Sequence, residues 1–373
     1  MKYFHQLKYK LFSESREVPA ILQSTHLPSL DGLRAIAIII VMLSHIFMTT
    51  PFKNSFAGAI GVEIFFVLSG FLITTLLLKE KISTNKISLK QFYIRRFLRI
   101  IPVAYLFLAT LALLNQLMNL GIGVLPFVSA GLFFNNIPLS MFNHWYVAHF
   151  WSLSVEEQFY LVFPLLLVYN QNTYIKILLL IVLIVPIIGT LGYAKVGVFY
   201  TNRTVHIIAF LLINALGKTV CILIGSLFAI LLFKKIIVIK DNIYTRYAGL
   251  ILFVCGVLIH TESFPLRIPH CSLFLFPILM ATMIVLNLSG NSLMGKVLNL
   301  WIFRYIGKLS YSLYIWQQLF LNNDHNIMPT SSIWLKLFVL SLTAVISYHV
   351  FEKFFIKLKG KFSPEDQVKA RVV

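Results

Sequence analysis

A few charged and hydrogen-bonding side chains interrupt long apolar runs of this sequence, and their types and spacing bound the chemistry it can perform. The run Leu30-Asp31-Gly32-Leu33-Arg34 continues through apolar residues to Leu43-Ser44-His45. At about 1.5 Å of rise per residue, a helix puts His45 roughly 16 Å beyond Arg34. An imidazole titrates near neutrality and suits proton transfer, whereas a lone intramembrane histidine is more often one hydrogen-bonded across helices. Glu63, in Gly61-Val62-Glu63-Ile64-Phe65-Phe66, either charge-pairs with His45 or an arginine, or snorkels to the outer interface. Arg95, Arg96 and Arg99 precede another apolar stretch. On a helix Arg96 and Arg99 share a face, an arrangement that grips phosphate and equally anchors a helix end at the cytoplasm. His149, Ser152, Glu156 and Tyr160 fall on one helical face beside Trp151. Such a stripe does not face lipid: it lines a cavity or forms a structural polar network.

The elements that must carry these residues are membrane helices. Of 373 residues, 58% are hydrophobic and 12% charged, about half the charged share that a soluble domain needs. Apolar stretches predict about ten spans, near 33–50, 57–79, 97–119, 151–170, 174–193, 213–233, 246–262, 272–289, 304–321 and 332–356. Residues 204–215 belong to a longer sixth segment or re-enter the membrane. Basic residues concentrate between the second and third spans, after the sixth and eighth, and in the tail, whereas 120–150 and 321–335 hold no lysine or arginine. The alternation predicts an all-α integral membrane protein with both termini cytoplasmic, against the exceptions Lys195, Arg203 and Arg267. Residues 1–29 read as a cytoplasmic lead-in without the apolar core of a signal peptide, and 357–373 as a cytoplasmic tail. The net charge of +19 sits beside apolar segments, which favours lipid headgroups over nucleic acid. Cys221, Cys255 and Cys271 lack metal-ligand spacing and read as apolar thiols, and no metal is expected.

The segments LDGLRAIAIIIVMLSH (30–45), GVEIFFVLSGFLIT (61–74), FYIRRFLRIIP (92–102) and HFWSLSVEEQFYLVFP (149–164) together resemble acyltransferase family 3, the membrane O-acyltransferases that modify bacterial surface sugars. GKLSYSLYIWQQ (307–318) and FEKFF (351–355) resemble that family's closing segments. The resemblance covers nearly the whole chain in the family's order and implies one acyltransferase domain over 30–356. It implies an acyl-CoA donor, commonly acetyl-CoA, and an acceptor hydroxyl on a cell-surface carbohydrate such as O-antigen of lipopolysaccharide, exopolysaccharide or a glycolipid. It also implies a multi-pass protein of the bacterial cytoplasmic (inner) membrane.

Carried over residue by residue, the family pattern places its arginine–histidine pair on Arg34 and His45 and its Arg-x-x-Arg pair on Arg96 and Arg99, with Arg95 beside them. Its carboxylate falls on Glu156. His45 is then the base or a transient acyl carrier, Arg96 and Arg99 with Arg95 hold the donor phosphates, and Arg34 either pairs with those phosphates or sets the position of the imidazole in catalysis. Glu156 acts with His149, Ser152, Trp151, Tyr160 and Glu63 around the acceptor. Three positions depart from the pattern: Glu63 replaces aspartate, Gln317-Gln318 replaces His-Trp, and Phe354 replaces proline. Many relatives carry an extra helix and an esterase-like domain, for which the tail after 356 is too short. The rival function is a transporter or flippase in which the intramembrane His, Glu and Arg couple to protons.

Overall fold

In lipid the backbone has no water to bond, so a chain this apolar must satisfy its amides internally. The computed structural model describes residues 2–24, 26–48, 57–193, 196–261, 272–321, 327–328 and 332–362, and among them the regular structure is helical throughout. Ten long helices matter here: α1 (Pro28–Phe47), α2 (Gly58–Thr84), α3 (Leu89–Met118), α4 (Phe150–Tyr169), α5 (Gln171–Tyr193), α6 (Arg203–Phe233), α7 (Ile243–His260), α8 (Ser272–Asn287), α9 (Trp301–Phe320) and α10 (Ile333–Ile346). After α10 the chain passes through a π-helical turn, Ser347–Glu352, into a last helix, Lys353–Gly360.

Each expected span is helical over most of its described residues. Among the described residues, seven helical stretches are long and apolar enough to cross a membrane: α1, α2, α3, α5, the Leu216–Phe233 part of α6, α7, and α10 with its continuation to Gly360. The other three fall short for visible reasons. α8 has 16 residues, while α4 and α9 spend their length on serines, glutamates, glutamines and tyrosines. Residues 204–215 are the first third of α6, whose N-terminus is capped by the Asn202 side chain accepting from the Thr204 and Val205 amides. Lys195, Arg267 and Cys271 lie outside the described residues, whereas Cys221 is a buried free thiol.

The chain folds as two compact units. The first contains residues 1–37, 59–85 and 159–307. Here α2 and α6 touch backbone to backbone. A side chain at Gly70 would strike the Ile222 carbonyl, and one at Gly225 would strike that of Val67. Close approach of this kind is how helices associate where the solvent is as apolar as their side chains. Beside that seam, Thr74 donates to Ser226 (2.7 Å), which shares a 2.5 Å bond with the Tyr174 hydroxyl. Leu161, Leu165, Leu180, Leu183 and Ile187 are exposed on α4 and α5, an outer surface suited to lipid rather than water. The helix Lys2–Phe12 leads into a segment tied to basic positions, with Glu14 at 3.5 Å from Lys81 and Glu17 paired to Lys235.

The second unit contains residues 38–58, 86–158 and 308–373. Its organising element is the stretch between α3 and α4, expected from sequence only as a charge-free outer loop. Asn135 fastens it: its Nδ2 donates to the Val147 carbonyl (2.8 Å), its Oδ1 accepts from Ser129 (2.9 Å), and its amide donates to Ser154 on α4 (3.1 Å). Asn136 and Gln158 exchange two amide bonds of 2.9 Å each. These bonds fix the approach to α4, and with it the positions of Trp145 and His149.

Candidate active site

The second unit gathers polar side chains in apolar surroundings around His45 and His149. His45, near the C-terminal end of α1, is half-buried, and its Nδ1 bonds no group among the described residues. The Trp145 ring lies against it, with centroids 5.7 Å apart and planes tilted by 54°. His149, at the entry to α4, is 4% exposed and boxed by aromatic rings: Phe150 at 4.9 Å, Phe107 at 5.1 Å and Tyr314 at 5.7 Å between centroids. Neither of its ring nitrogens has a hydrogen-bond partner among the described residues. The two imidazoles lie within electrostatic range of each other. Ser152 bonds the Tyr314 hydroxyl at 2.6 Å, and that hydroxyl also donates to the His149 carbonyl at 3.1 Å. The expected stripe is therefore buried at His149, Ser152 and Tyr160 and half-buried at Trp151 and Glu156. Glu156 acts electrostatically on Glu157, Tyr311 and Tyr314.

A second cluster in the same unit involves the arginines of α3. Arg99 Nη1 lies 3.7 Å from Glu352 Oε1, a loose pair in which the arginine is 26% exposed and the glutamate 1%. Glu352 is held from its other oxygen by Ser312 Oγ at 2.6 Å. It ends the π-helical turn, a deviation frequent at functional sites. The Arg96 guanidinium sits 5.7 Å over the Phe92 ring. Arg95 donates to the Phe362 carbonyl at 2.8 Å, so one of the three expected phosphate ligands is bonded to backbone of the chain's own tail. Arg99, loosely paired and partly exposed, fits a phosphate better.

Two sequence expectations change. Glu63 pairs with neither His45 nor an arginine. In the first unit it takes Lys218 Nζ at 2.5 Å and His260 Nε2 at 3.5 Å, and it is buried rather than snorkelling. Lys218 was the missed signal, a lysine within α6 near the start of its apolar span. Arg34 Nη1 donates to Asp31 Oδ1 (3.0 Å), whose other oxygen bonds His26 at 2.7 Å. Asp31 is part of the same Leu-Asp-Gly-Leu-Arg run, so this pairing was available at a spacing of three. Gly307 brings α9 against the Asp31 carbonyl, leaving no room for a side chain. Trp145, Tyr314, Gln317, Gln318 and Glu352 were not singled out by spacing.

With this geometry in view, sequence comparison decides the family. The family model described as "Acyltransferase domain" matches residues 27–351. The chain belongs to acyltransferase family 3. Among its family relatives, the O-acetyltransferase OatA of Staphylococcus aureus is 29% identical over 387 aligned positions, covering 91% of this chain and 60% of that protein. The peptidoglycan O-acetyltransferase OatA of Listeria monocytogenes is 28% identical over 350, covering 86% and 54%. This family member thus spans somewhat over half the length of those curated relatives. No solved structure matches it.

Proposed function

We propose that this protein is a membrane O-acetyltransferase that moves an acetyl group from acetyl-CoA at the cytoplasmic face to a hydroxyl of a cell-surface carbohydrate. The reading places the ten helices as ten spans of a bacterial cytoplasmic membrane with both termini inside, as the distribution of basic loops favours. Peptidoglycan, named for the Listeria relative, is the first acceptor to try.

The observation that carries the reading is the His45 Nδ1, without a partner among the described residues and set against Trp145, in a chain of an acyltransferase family. The acceptor oxygen attacks the thioester carbonyl, a C–O bond forms as the C–S bond breaks, and the hydroxyl proton ends on the CoA thiolate. His45 takes the hydroxyl proton as base in that direct transfer, or it carries the group in two steps: its ring nitrogen attacks the thioester and releases CoA thiol, and the acceptor oxygen then displaces the imidazole from the acetyl carbon. Arg96 and Arg99 hold the donor phosphates, and Glu156 with His149, Ser152, Trp151 and Tyr160 orients the acceptor. Arg34, which donates to Asp31, is a further candidate for the donor phosphates or for setting the position of the imidazole.

The transporter reading draws support from one observation, the buried Glu63–Lys218–His260 cluster, a typical form for a proton-coupling site. One experiment separates the two. Purified protein in nanodiscs, given radiolabelled acetyl-CoA and soluble peptidoglycan strands, is expected to label the glycan, and His45→Ala to abolish labelling while remaining folded. Intact labelling by His45→Ala sinks the role of His45, and no labelling by the unaltered protein sinks the enzyme. Mass spectrometry of the quenched protein, with or without an acetylated His45, chooses between base and carrier.

A further inference from the structure

Gln317 and Gln318 are consecutive on α9 and both fully buried, at 0% and 2% exposure, yet their surroundings differ. Gln318 is bonded into the fold. Its Nε2 donates to the Trp145 carbonyl at 2.7 Å, and Trp145 Nε1 donates back to the Gln318 carbonyl at 3.2 Å. Gln318 Oε1 has no partner among the described residues, and Gln317 goes further: neither its Oε1 nor its Nε2 has one. Burying a carboxamide with both ends unbonded is costly, and an apolar side chain of similar shape would be accepted more readily. A polar group buried in that way is explained when something outside the chain bonds it.

Its place on the helix says what. Tyr314, Gln317 and Gln318 share one face, at spacings of three and four. Tyr314 on that face bonds Ser152 and packs its ring 5.7 Å from His149. Gln318 holds Trp145, whose ring lies 5.7 Å from His45. Gln317 is therefore next to Tyr314, which touches His149, and next in the chain to Gln318, which holds the neighbour of His45. His45 Nδ1, both nitrogens of His149 and Trp316 Nε1 likewise lack partners among the described residues. All of these residues are in the second unit, linked through Phe107, 5.6 Å from Trp316 and 5.1 Å from His149.

We propose that the Gln317 carboxamide binds the carbohydrate acceptor and selects the hydroxyl presented to His45. The proposal rests on the acyltransferase reading and adds to it a residue that spacing did not nominate. A carboxamide offers an accepting oxygen and two N–H donors in one plane. That set matches neighbouring sugar hydroxyls, each able to donate and accept. It suits an anion less well, since the oxygen would face negative charge. Imidazoles and an indole N–H in the same surroundings extend the neutral, mixed donor–acceptor character. Gln318, bonded to Trp145 through its Nε2 and its backbone carbonyl, positions Trp145 instead.

The test uses the whole protein in nanodiscs, radiolabelled acetyl-CoA as donor and chitotetraose as acceptor. Gln317→Leu is expected to lower kcat/KM for chitotetraose by about tenfold or more, because losing a hydrogen bond to a substrate hydroxyl is strongly felt in a buried site. The KM for acetyl-CoA should stay unchanged, and the thermal midpoint should hold or rise. Gln317→His, with one donor and one acceptor nitrogen, should change the distribution of acetylated positions read by NMR of the product. Unchanged acceptor kinetics in Gln317→Leu, or losses shared equally by donor and acceptor, would overturn the proposal. Gln317→Met replaces leucine if that variant misfolds, and misfolding of both would make the amide a fold element and also overturn it. Absence of transfer by the unaltered protein, to chitotetraose and to peptidoglycan strands alike, is a separate result that removes the acyltransferase reading itself.

Discussion

In the first unit, Glu63 lies between Lys218 at 2.5 Å and His260 at 3.5 Å, and further along the same helix Thr74 is bonded in a chain with the hydroxyls of Ser226 and Tyr174. In the second, His149 presents two ring nitrogens and Gln317 two amide atoms that bond nothing among the described residues. Both clusters are polar and buried in apolar surroundings, so composition does not tell them apart. Bonding does. A charge paired inside the fold is neutralised there and holds helices together. A buried donor or acceptor left unbonded weakens the fold until a ligand reaches it, which is how a binding site differs from a structural core.

The contrast fails or sharpens with a short series of variants. His45→Ala should carry the largest effect, lowering acetyl transfer by about 10²–10⁴-fold, the usual worth of a positioned acid–base group, with unfolding in mixed micelles unchanged. A loss of stability comparable to the loss of rate would place His45 among the structural groups.

Next comes the paired cluster. Glu63→Leu leaves Lys218 uncompensated and should destabilise by about 3 kcal/mol, the low end for a broken buried pair because Lys218 is 35% exposed. Adding Lys218→Leu should return most of that. If the double variant is no better than the single one, the pair is not the unit of stabilisation.

His149→Phe tests the other side. It removes two unbonded nitrogens from an aromatic box, so stability should hold or rise by about 1 kcal/mol while transfer falls. Destabilisation would mean that His149 is bonded into the fold after all. Tyr314→Phe removes the bonds to Ser152 and to the His149 carbonyl and should cost about 1 kcal/mol in the same assay.

The smallest effect is at the N-terminal segment. The Lys235 side chain holds the Glu17 carboxyl below its ordinary range, so the ion pair contributes above that range and is lost as the pH falls through the lowered value. Glu17→Gln should abolish this acid-dependent release, read as protease nicking of the segment between neutral and acidic pH. Release with the same pH dependence in Glu17→Gln would assign it elsewhere.

Much of the chain's organisation was legible before any coordinates. Apolar runs of about twenty residues place the helices, because in lipid a helix must satisfy its own backbone. The His149–Ser152–Tyr160 burial was readable as a stripe, since helical periodicity fixes which residues share a face. The pairing of Glu63 was not, although Lys218 was there to be seen, because charge partners on helices distant in sequence are chosen by packing. Arg95 was grouped with Arg96 and Arg99 by proximity in sequence, yet its guanidinium bonds the Phe362 carbonyl, 267 residues away.

The sequence by itself determined the helices, the polar residues inside them and, through the order of its motifs, the family. Those follow from local periodicity and from the cost of polar groups in lipid, both properties of a single strand of chain. Only the tertiary structure decided which buried polar groups are bonded and which are not. Gln317 and Gln318 are the same residue in consecutive positions, and nothing local distinguishes them. The helix turns one toward Trp145, whose carbonyl takes its Nε2, and leaves both side-chain atoms of the other without a partner among the described residues.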